Sequence, residues 1–360
     1  MTSAWTAAHV AGIAAAALPA TPSLVAGDIV RVVPGRDLWD FWPLQTLGGA
    51  VASIAGGELW FALSAAREGA PDRRHDCARL RLLRRDGGDW CDLGAALPDG
   101  FSPGSREWSG SAVVDADCNR LTLFFTAAGR RGEGRTTYEQ RLFQTCATLA
   151  PDGRPSNWTT PTESVASDGL DYVVVDQAEG AIGTIKAFRD PGYFHDPANG
   201  TSYLLFAASL ARSRSAFNGA VGIARADGSG QRWSLLPPVV HADSLNNELE
   251  RPHVVFRDRR YYLFWSTQSS VFASGIEAPT GLYGMVADHL LGRYEPLNGT
   301  GLVLANPAVA PAQAYSWLVL DDLRVTSFID QIGSGRAGFG GSPAPELRLS
   351  VDGARAWLAA

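Results

Sequence analysis

From about residue 20 onward, the chain alternates short apolar runs with Gly, Asp, Asn and Pro, and helical periodicity is almost absent. Ala50-Val51-Ala52-Ser53-Ile54-Ala55 gives way to Gly56-Gly57 and then to Leu59-Trp60-Phe61-Ala62-Leu63. Ala112-Val113-Val114 passes through Asp115–Asn119 into Leu121-Thr122-Leu123-Phe124-Phe125. His253-Val254-Val255-Phe256 turns at Arg257–Arg260 into Tyr261-Tyr262-Leu263-Phe264-Trp265. Runs of this length, rich in β-branched and aromatic residues and bounded by turn formers, predict β-hairpins. Many in succession predict an all-β protein: a sandwich, a barrel or a propeller. Only the start differs. Val10 to Leu18 is an alanine-rich apolar stretch closed by Pro19, which predicts a short helix. It is too short to span a membrane. No Lys or Arg precedes it, Arg31 being the first basic residue, so it does not read as a signal peptide. Atypical export to the periplasm or the outside and residence in the cytoplasm both stay open.

Three acidic motifs punctuate the hairpins: Leu38-Trp39-Asp40-Phe41-Trp42-Pro43, Phe188-Arg189-Asp190-Pro191 and Glu248-Leu249-Glu250-Arg251-Pro252-His253. With Trp108-Ser109 they form a series, Asp40, Ser109, Asp190 and Glu250, at intervals of 69, 81 and 60 residues. A further hairpin region, Ala314 to Asp330, follows about 70 residues later. Each motif precedes or opens a hairpin. That spacing predicts a single five-bladed β-propeller of about 70 residues per blade. Innermost strands line a propeller's central channel, so one motif per blade would converge on a funnel-shaped central active-site pocket. No Pro- or Ser-rich linker divides the chain. Residues 1–360 therefore read as one catalytic domain, with residues 1–30 as an N-terminal segment packed on it.

Composition narrows the chemistry. The net charge is −6, and no basic stripe is present, which argues against nucleic acid as a partner. Positive charge is almost entirely Arg, and Lys186 is the only lysine. Eleven Trp residues suit sugar binding, because sugar C–H faces stack on indoles; they suit a β-rich core equally well. Cys77, Cys91, Cys118 and Cys146 lack paired zinc spacing, and one neighbouring histidine, His75, does not make a metal site. A Cys77–Cys91 bridge is conceivable, but free buried thiols are expected in a chain this large. No cofactor is indicated.

Each acid has a plain reading and a chemical one. Asp40 between Trp39 and Trp42 is a poorly hydrated acid, or else a turn cap before Pro43. Arg189-Asp190-Pro191 is a surface turn or a channel position. Glu248 and Glu250, two apart, share a face if the segment is a strand. Like charges so placed raise at least one pKa, as a general acid requires.

Taken together, these motifs resemble the levansucrase group, glycoside hydrolase family 68, whose members act on sucrose. Glu107-Trp108-Ser109-Gly110-Ser111-Ala112 is similar to that family's W-S-G-S-type motif. Thr280–Gly284, Tyr294–Val303, Gln313–Ser316 and Val325–Asp330 are similar to its later blocks, in family order. The resemblance implies a five-bladed propeller and a retaining, sucrose-dependent fructosyltransferase, with a mainly hydrolytic β-fructofuranosidase as the alternative. It implies Asp40 as nucleophile, Glu250 as acid/base and Asp190 as transition-state stabiliser. It implies that Trp39, Trp108, Ser109, Arg189, Glu248 and Arg251 bind the sugar units. Sucrose and sugar acceptors are the implied partners, and retention places nucleophile and acid about 5–5.5 Å apart.

Two departures stand out. Gln268 falls where many members carry Arg or His against the leaving glucose or the acceptor. A neutral amide there implies altered acceptor binding and short products or hydrolysis rather than long levan. Asn247 stands where similar Gram-positive members carry a calcium-binding Asp, so no structural calcium is expected.

Overall fold

The apolar runs fold as strands. A computed structural model describes the chain except residues 1, 14–17, 116–118, 177–184, 229, 231 and 360 and the side chain of 336. Five strands organise it: β1 (Arg36–Thr46), β2 (Arg106–Asp115), β3 (Phe188–Asp196), β4 (Glu250–Arg257) and β5 (Ala314–Val319). Each pairs antiparallel with the next strand of its own hairpin: Gly57–Ala66, Arg120–Ala128, Thr201–Ser209, Arg260–Thr267 and Arg324–Gln331 respectively. Further strands continue outward, as from Gly57–Ala66 through Arg79–Asp86 to Asp89–Ala95. β1 and β2 also pair with each other in parallel, Leu44–Thr46 against Ala112–Val114, which merges their two sheets into one of ten strands. The sheets of β3, β4 and β5 have five strands each. In packing, β1 touches β2, β2 touches β3, β3 touches β4, β4 touches β5, and β5 returns to β1.

Burial follows position in the sheet. Arg260–Thr267 is buried at every residue but its first, whereas Asp89–Ala95 is half-exposed or exposed throughout. Strands covered on both faces read as continuous apolar runs, which is why Tyr261 to Trp265 shows no alternation. Much of the tryptophan excess fills the interior: Trp5, Trp39, Trp42, Trp60, Trp265 and Trp317 are all fully buried.

The N-terminal segment departs from the predicted helix. Of the predicted stretch Val10 to Leu18, Val10 closes the helix Ala7–Val10, residues 11–13 and 18 are not helical, and residues 14–17 lie outside the described part. Ser3–Ala4 instead extends a sheet, pairing in parallel with Val240–His241. Trp5 inserts beside Trp265, Phe272 and Tyr283, and its indole N–H donates to Thr300 O at 2.9 Å. This burial outweighs the alanine-rich local propensity. Cys77, Cys91 and Cys146 are free, but Cys77 and Cys91 are exposed rather than buried. Cys77 ends a surface 3₁₀ segment and Cys91 lies on an outer strand, so neither faces a core. Cys118 and most of the expected turn at 115–119 are among the undescribed residues. No described helix is long and apolar enough to cross a membrane.

Candidate active site

All five first strands break register with their hairpin partners at the same relative place: between Trp39 and Trp42, Trp108 and Gly110, Arg189 and Gly192, Glu250 and His253, and Tyr315 and Leu318. Four of the interruptions hold a non-glycine residue at positive φ: Asp40 (50°), Asp190 (62°), Arg251 (50°) and Ser316 (60°). Asp tolerates this region because its short polar side chain bonds locally; for Arg it costs about 1 kcal/mol or more. A break of this kind re-aims side chains and bends the strand. Here the breaks gather polar residues that a regular pleat would have sent to alternate faces.

Asp40 accepts a short hydrogen bond from the Ser109 hydroxyl, joining β1 to β2. Thr126 links β2 to β3: its hydroxyl donates to Ser109 O at 3.1 Å and accepts the Asp190 N–H at 2.9 Å. Ser111 does the same nearby, donating to Pro191 O at 2.8 Å and accepting from Tyr193 N–H at 2.9 Å. Arg189 then bridges to β4. Its Nη2 lies 2.7 Å from Glu250 Oε1 and 3.3 Å from Glu248 Oε2, and its Nε lies 3.7 Å from Asp190 Oδ2. The second oxygen of Glu250 accepts a short bond from the Tyr315 hydroxyl on β5. Burial lifts Tyr315 well above the usual phenol range, and Glu250 adds to it, so the hydroxyl stays protonated and serves as donor.

Charge is concentrated here under cover. The Asp190 carboxyl is pushed up to about 7, first by burial; Arg189 opposes this, while the charges of Glu250 and Asp40 reinforce it. The Asp190 carboxyl therefore feels carboxylates from two other strands. Glu248 is likewise pushed to about 7, chiefly by burial, with Arg189 lowering it and Glu250 raising it. The sequence expectation of a like-charge effect holds only as a secondary cause. Glu248 also lies just before β4 rather than within it, yet both glutamates meet the same guanidinium.

Arg251 is turned away from Glu250. Its guanidinium donates to Phe41 O at 2.7 Å and to Ser316 O and Oγ at 3.0 and 2.7 Å, and packs 5.9 Å from the Trp42 ring. Its backbone N–H donates to Asp190 Oδ2 at 3.3 Å, while the charge of its guanidinium still acts on Asp40, Asp190 and Glu250. His253 ties β4 to β5, with Nδ1–H donating to Arg251 O and Nε2 accepting from Val319 N–H, both at 2.8 Å. Burial lowers its pKa to about 4 and keeps it neutral. A cavity of about 110 Å³ adjoins this layer, lined by Ser111, Asp190, Gly192, Arg251, His253 and Val319 among others; Asp40, Arg189 and Glu250 are not part of that lining.

Trp39 and Trp108 flank a histidine that sequence reasoning had considered only as a metal ligand. His75 meets Trp39 and Trp108 edge-on at 5.5 and 6.5 Å, and the Trp108 indole N–H donates to its carbonyl at 3.2 Å. Burial, then Arg74, Arg189 and Arg106, hold its pKa well below normal. Arg74 packs on the Trp39 ring at 5.4 Å. These residues sit on the 3₁₀ segment Pro71–Cys77, whose polar sequence gave no hint of an inward face. Trp39 Nε1 and Arg189 Nη1 are buried with no hydrogen-bond partner among the described residues.

Gln268 is not drawn into this cluster. It lies one residue past the strand that pairs with β4, half-buried, its amide oxygen accepting from Ser270 Oγ at 3.4 Å. Asn247 turns its amide oxygen to the Lys186 ammonium at 2.8 Å. Among the described residues, no group of three or more His, Cys, Asp or Glu side chains is placed to hold a metal.

The levansucrase/invertase family profile matches residues 1–219 and 213–359. A levansucrase of Zymomonas mobilis is 35% identical over 356 residues, covering 89% of this chain and 82% of its own. Among solved structures, an inulosucrase from Halalkalicoccus jeotgali bound to kestose superposes with a TM-score of 0.90 at 38% identity, over 99% of this chain and 95% of that one. The β-fructofuranosidase catalytic domain of Microbacterium saccharophilum K-1 superposes with a TM-score of 0.82 at 26% identity, over 100% of this chain and 91% of that one.

Proposed function

The chain belongs to the levansucrase/invertase family, glycoside hydrolase family 68, and from that premise we propose that it transfers the fructosyl unit of sucrose to sugar acceptors and to water, releasing glucose. The observation that supports the mechanism is that Asp190 and Glu250, from two strands, share Arg189, while Asp40 on a third strand bonds to Ser109 and its charge acts on Asp190.

In this reading Glu250, protonated, gives its proton to the glycosidic oxygen as the bond from that oxygen to fructose C2 breaks. Asp40 attacks C2 and forms a fructosyl ester, and glucose leaves. Glu250, now ionised, takes a proton from an acceptor hydroxyl or from water, which attacks C2 and frees Asp40. Ser109 holds the attacking carboxylate in place, and Arg189 and Tyr315 hold Glu250 between its two roles. Asp190 grips fructose hydroxyls through charged hydrogen bonds that strengthen as the ring flattens. Trp39 and Trp108 wall the fructosyl site, and the unpartnered donors Trp39 Nε1 and Arg189 Nη1 suit sugar oxygens. Glu248 acts through Arg189, and Arg251 supports Asp190 by its backbone N–H.

The fold that suits this reading is one catalytic domain, a five-bladed propeller with the acids in its central funnel. The return of β5 to β1 and the five register breaks at one level support it. Gln268, near the end of the neighbouring strand, is assigned to the acceptor side, where a neutral amide favours short fructo-oligosaccharides.

Incubation with sucrose tests the reading. The expected result is glucose in excess of free fructose, the missing fructose appearing in short products. Asp40→Ala and Glu250→Ala should each lose about 10²–10⁴-fold in rate or more. Equal glucose and fructose would make the protein a hydrolase, abundant high-mass polymer would contradict the Gln268 assignment, and near-normal activity in either variant would overturn the mechanism.

A further inference from the structure

Lys186 is the single lysine among 31 basic side chains, and it lies three residues before Arg189. Its ammonium donates to Asn218 Oδ1 at 2.7 Å, to Asn247 Oδ1 at 2.8 Å and, at short range, to the Ala216 carbonyl. Three oxygens around one nitrogen match an ammonium, which has three donors on a compact centre; the planar guanidinium fork does not fit such a set. A chain that otherwise uses Arg for positive charge has Lys here.

Both asparagines are buried, and their orientations are forced. An ammonium has no acceptor, so each amide must present its oxygen. The NH₂ groups then point outward: Asn218 Nδ2 to Leu210 O at 2.8 Å, and Asn247 Nδ2 to Ile185 O at 3.2 Å and Glu248 Oε1 at 3.3 Å. Ammonium, amide and carboxylate thus form a line, Lys186 to Asn247 to Glu248, in which each bond polarises the next. The line ends on the carboxylate that shares Arg189 with Glu250. Its surroundings are tight. Gly219 N–H donates to Asn246 O at 2.8 Å, and a Cβ on Gly219 would lie 2.8 Å from the Asn247 carbonyl carbon, so the start of the strand Gly219–Ala226 lies directly against the segment leading into the acid motif.

We infer that Lys186 is a positioning residue: its ammonium, fixed in a three-oxygen cradle, fastens the entrance of β3 to the segment before β4 and so sets the contact of Arg189 with Glu248 and Glu250. The inference rests on the proposed fructosyl transfer, and it adds that a half-buried cation outside the reacting groups holds them in register.

The test is the pH profile of kcat and kcat/KM for glucose release from sucrose, with Tm measured beside it. Wild-type activity in the same assay reports on the reaction itself, and the ratio of variant to wild type reports on Lys186. Lys186→Met keeps the stem and removes the charge; about tenfold lower kcat is expected, the size of one charge-assisted hydrogen bond. Its acid limb should move to higher pH, because Glu248 loses a neighbouring positive charge that favours its ionised form. Lys186→Arg should fail to rescue. Asn247→Asp keeps the contact to Lys186 but replaces the N–H offered to Glu248 with a negative charge. It should fold and show the same alkaline shift, which keeps the test open should Lys186→Met not fold. A wild-type profile in Asn247→Asp, an unshifted profile in a folded Lys186→Met, or full rescue by Arg would overturn the inference.

Discussion

Asp190 is held under two opposed demands. Its proposed role needs a carboxylate, yet its site is buried, and burial pushes its pKa up to about 7. An acid bound to its proton more tightly in the folded than in the unfolded chain contributes stability below the unfolded value of 3.8, and that contribution is lost as pH rises through about 7. Asp190→Asn removes the charge while keeping the shape. Above pH 7 it should raise Tm by a few degrees over wild type, with the gain shrinking toward pH 4, while activity falls. Thermal melts of both proteins from pH 4 to 8 check this; a Tm difference independent of pH would contradict it. The same residue marks how far single positions were legible in the sequence. The acids stood out because each sits beside Trp or Arg in a motif. Tyr315 did not, although the block containing it was noticed, because its hydroxyl finds Glu250 only through folding. Arg251, expected among the sugar-binding residues, sits at a positive φ with its side chain bonded to Phe41 and Ser316.

At the scale of the strand, the register breaks are the feature that hairpin patterns do not disclose. Turn residues and apolar runs locate Arg260–Thr267 and its partner β4 well, because those signals are local. A break depends on which residues face each other across two strands, and Trp39-Asp40-Phe41-Trp42 reads no differently from a regular run. Glycine gives the one local trace. Gly192 lies at the end of the β3 break, where a Cβ would come within 2.7 Å of Pro252 O on β4. Gly192→Ala should therefore push the Asp190 and Glu250 strands apart. The expected cost is about 1–3 kcal/mol of stability, read as a lower denaturation midpoint, together with a loss of kcat larger than any change in KM. Unchanged kcat in a destabilised Gly192→Ala would mean that strand spacing does not govern the site.

Across the whole molecule, the ordered motifs carried the family, and their spacing goes with the order in which the strands touch. Intervals of 69, 81 and 60 residues between Asp40, Ser109, Asp190 and Glu250 anticipate strands that touch in chain order, with β5 returning to β1. The start of the chain was less legible, since Trp5 is fixed by Trp265 and Tyr283, far along the sequence. The proposed mechanism centres on one event at the meeting point of these strands, transfer of a fructosyl unit to Asp40. Peptide mass mapping of protein quenched in acid during its first turnovers on sucrose observes that event directly. One hexosyl unit on Asp40, absent in Asp40→Asn, is the predicted result; a hexosyl unit on Asp190 or Glu250, or one retained in Asp40→Asn, would contradict it.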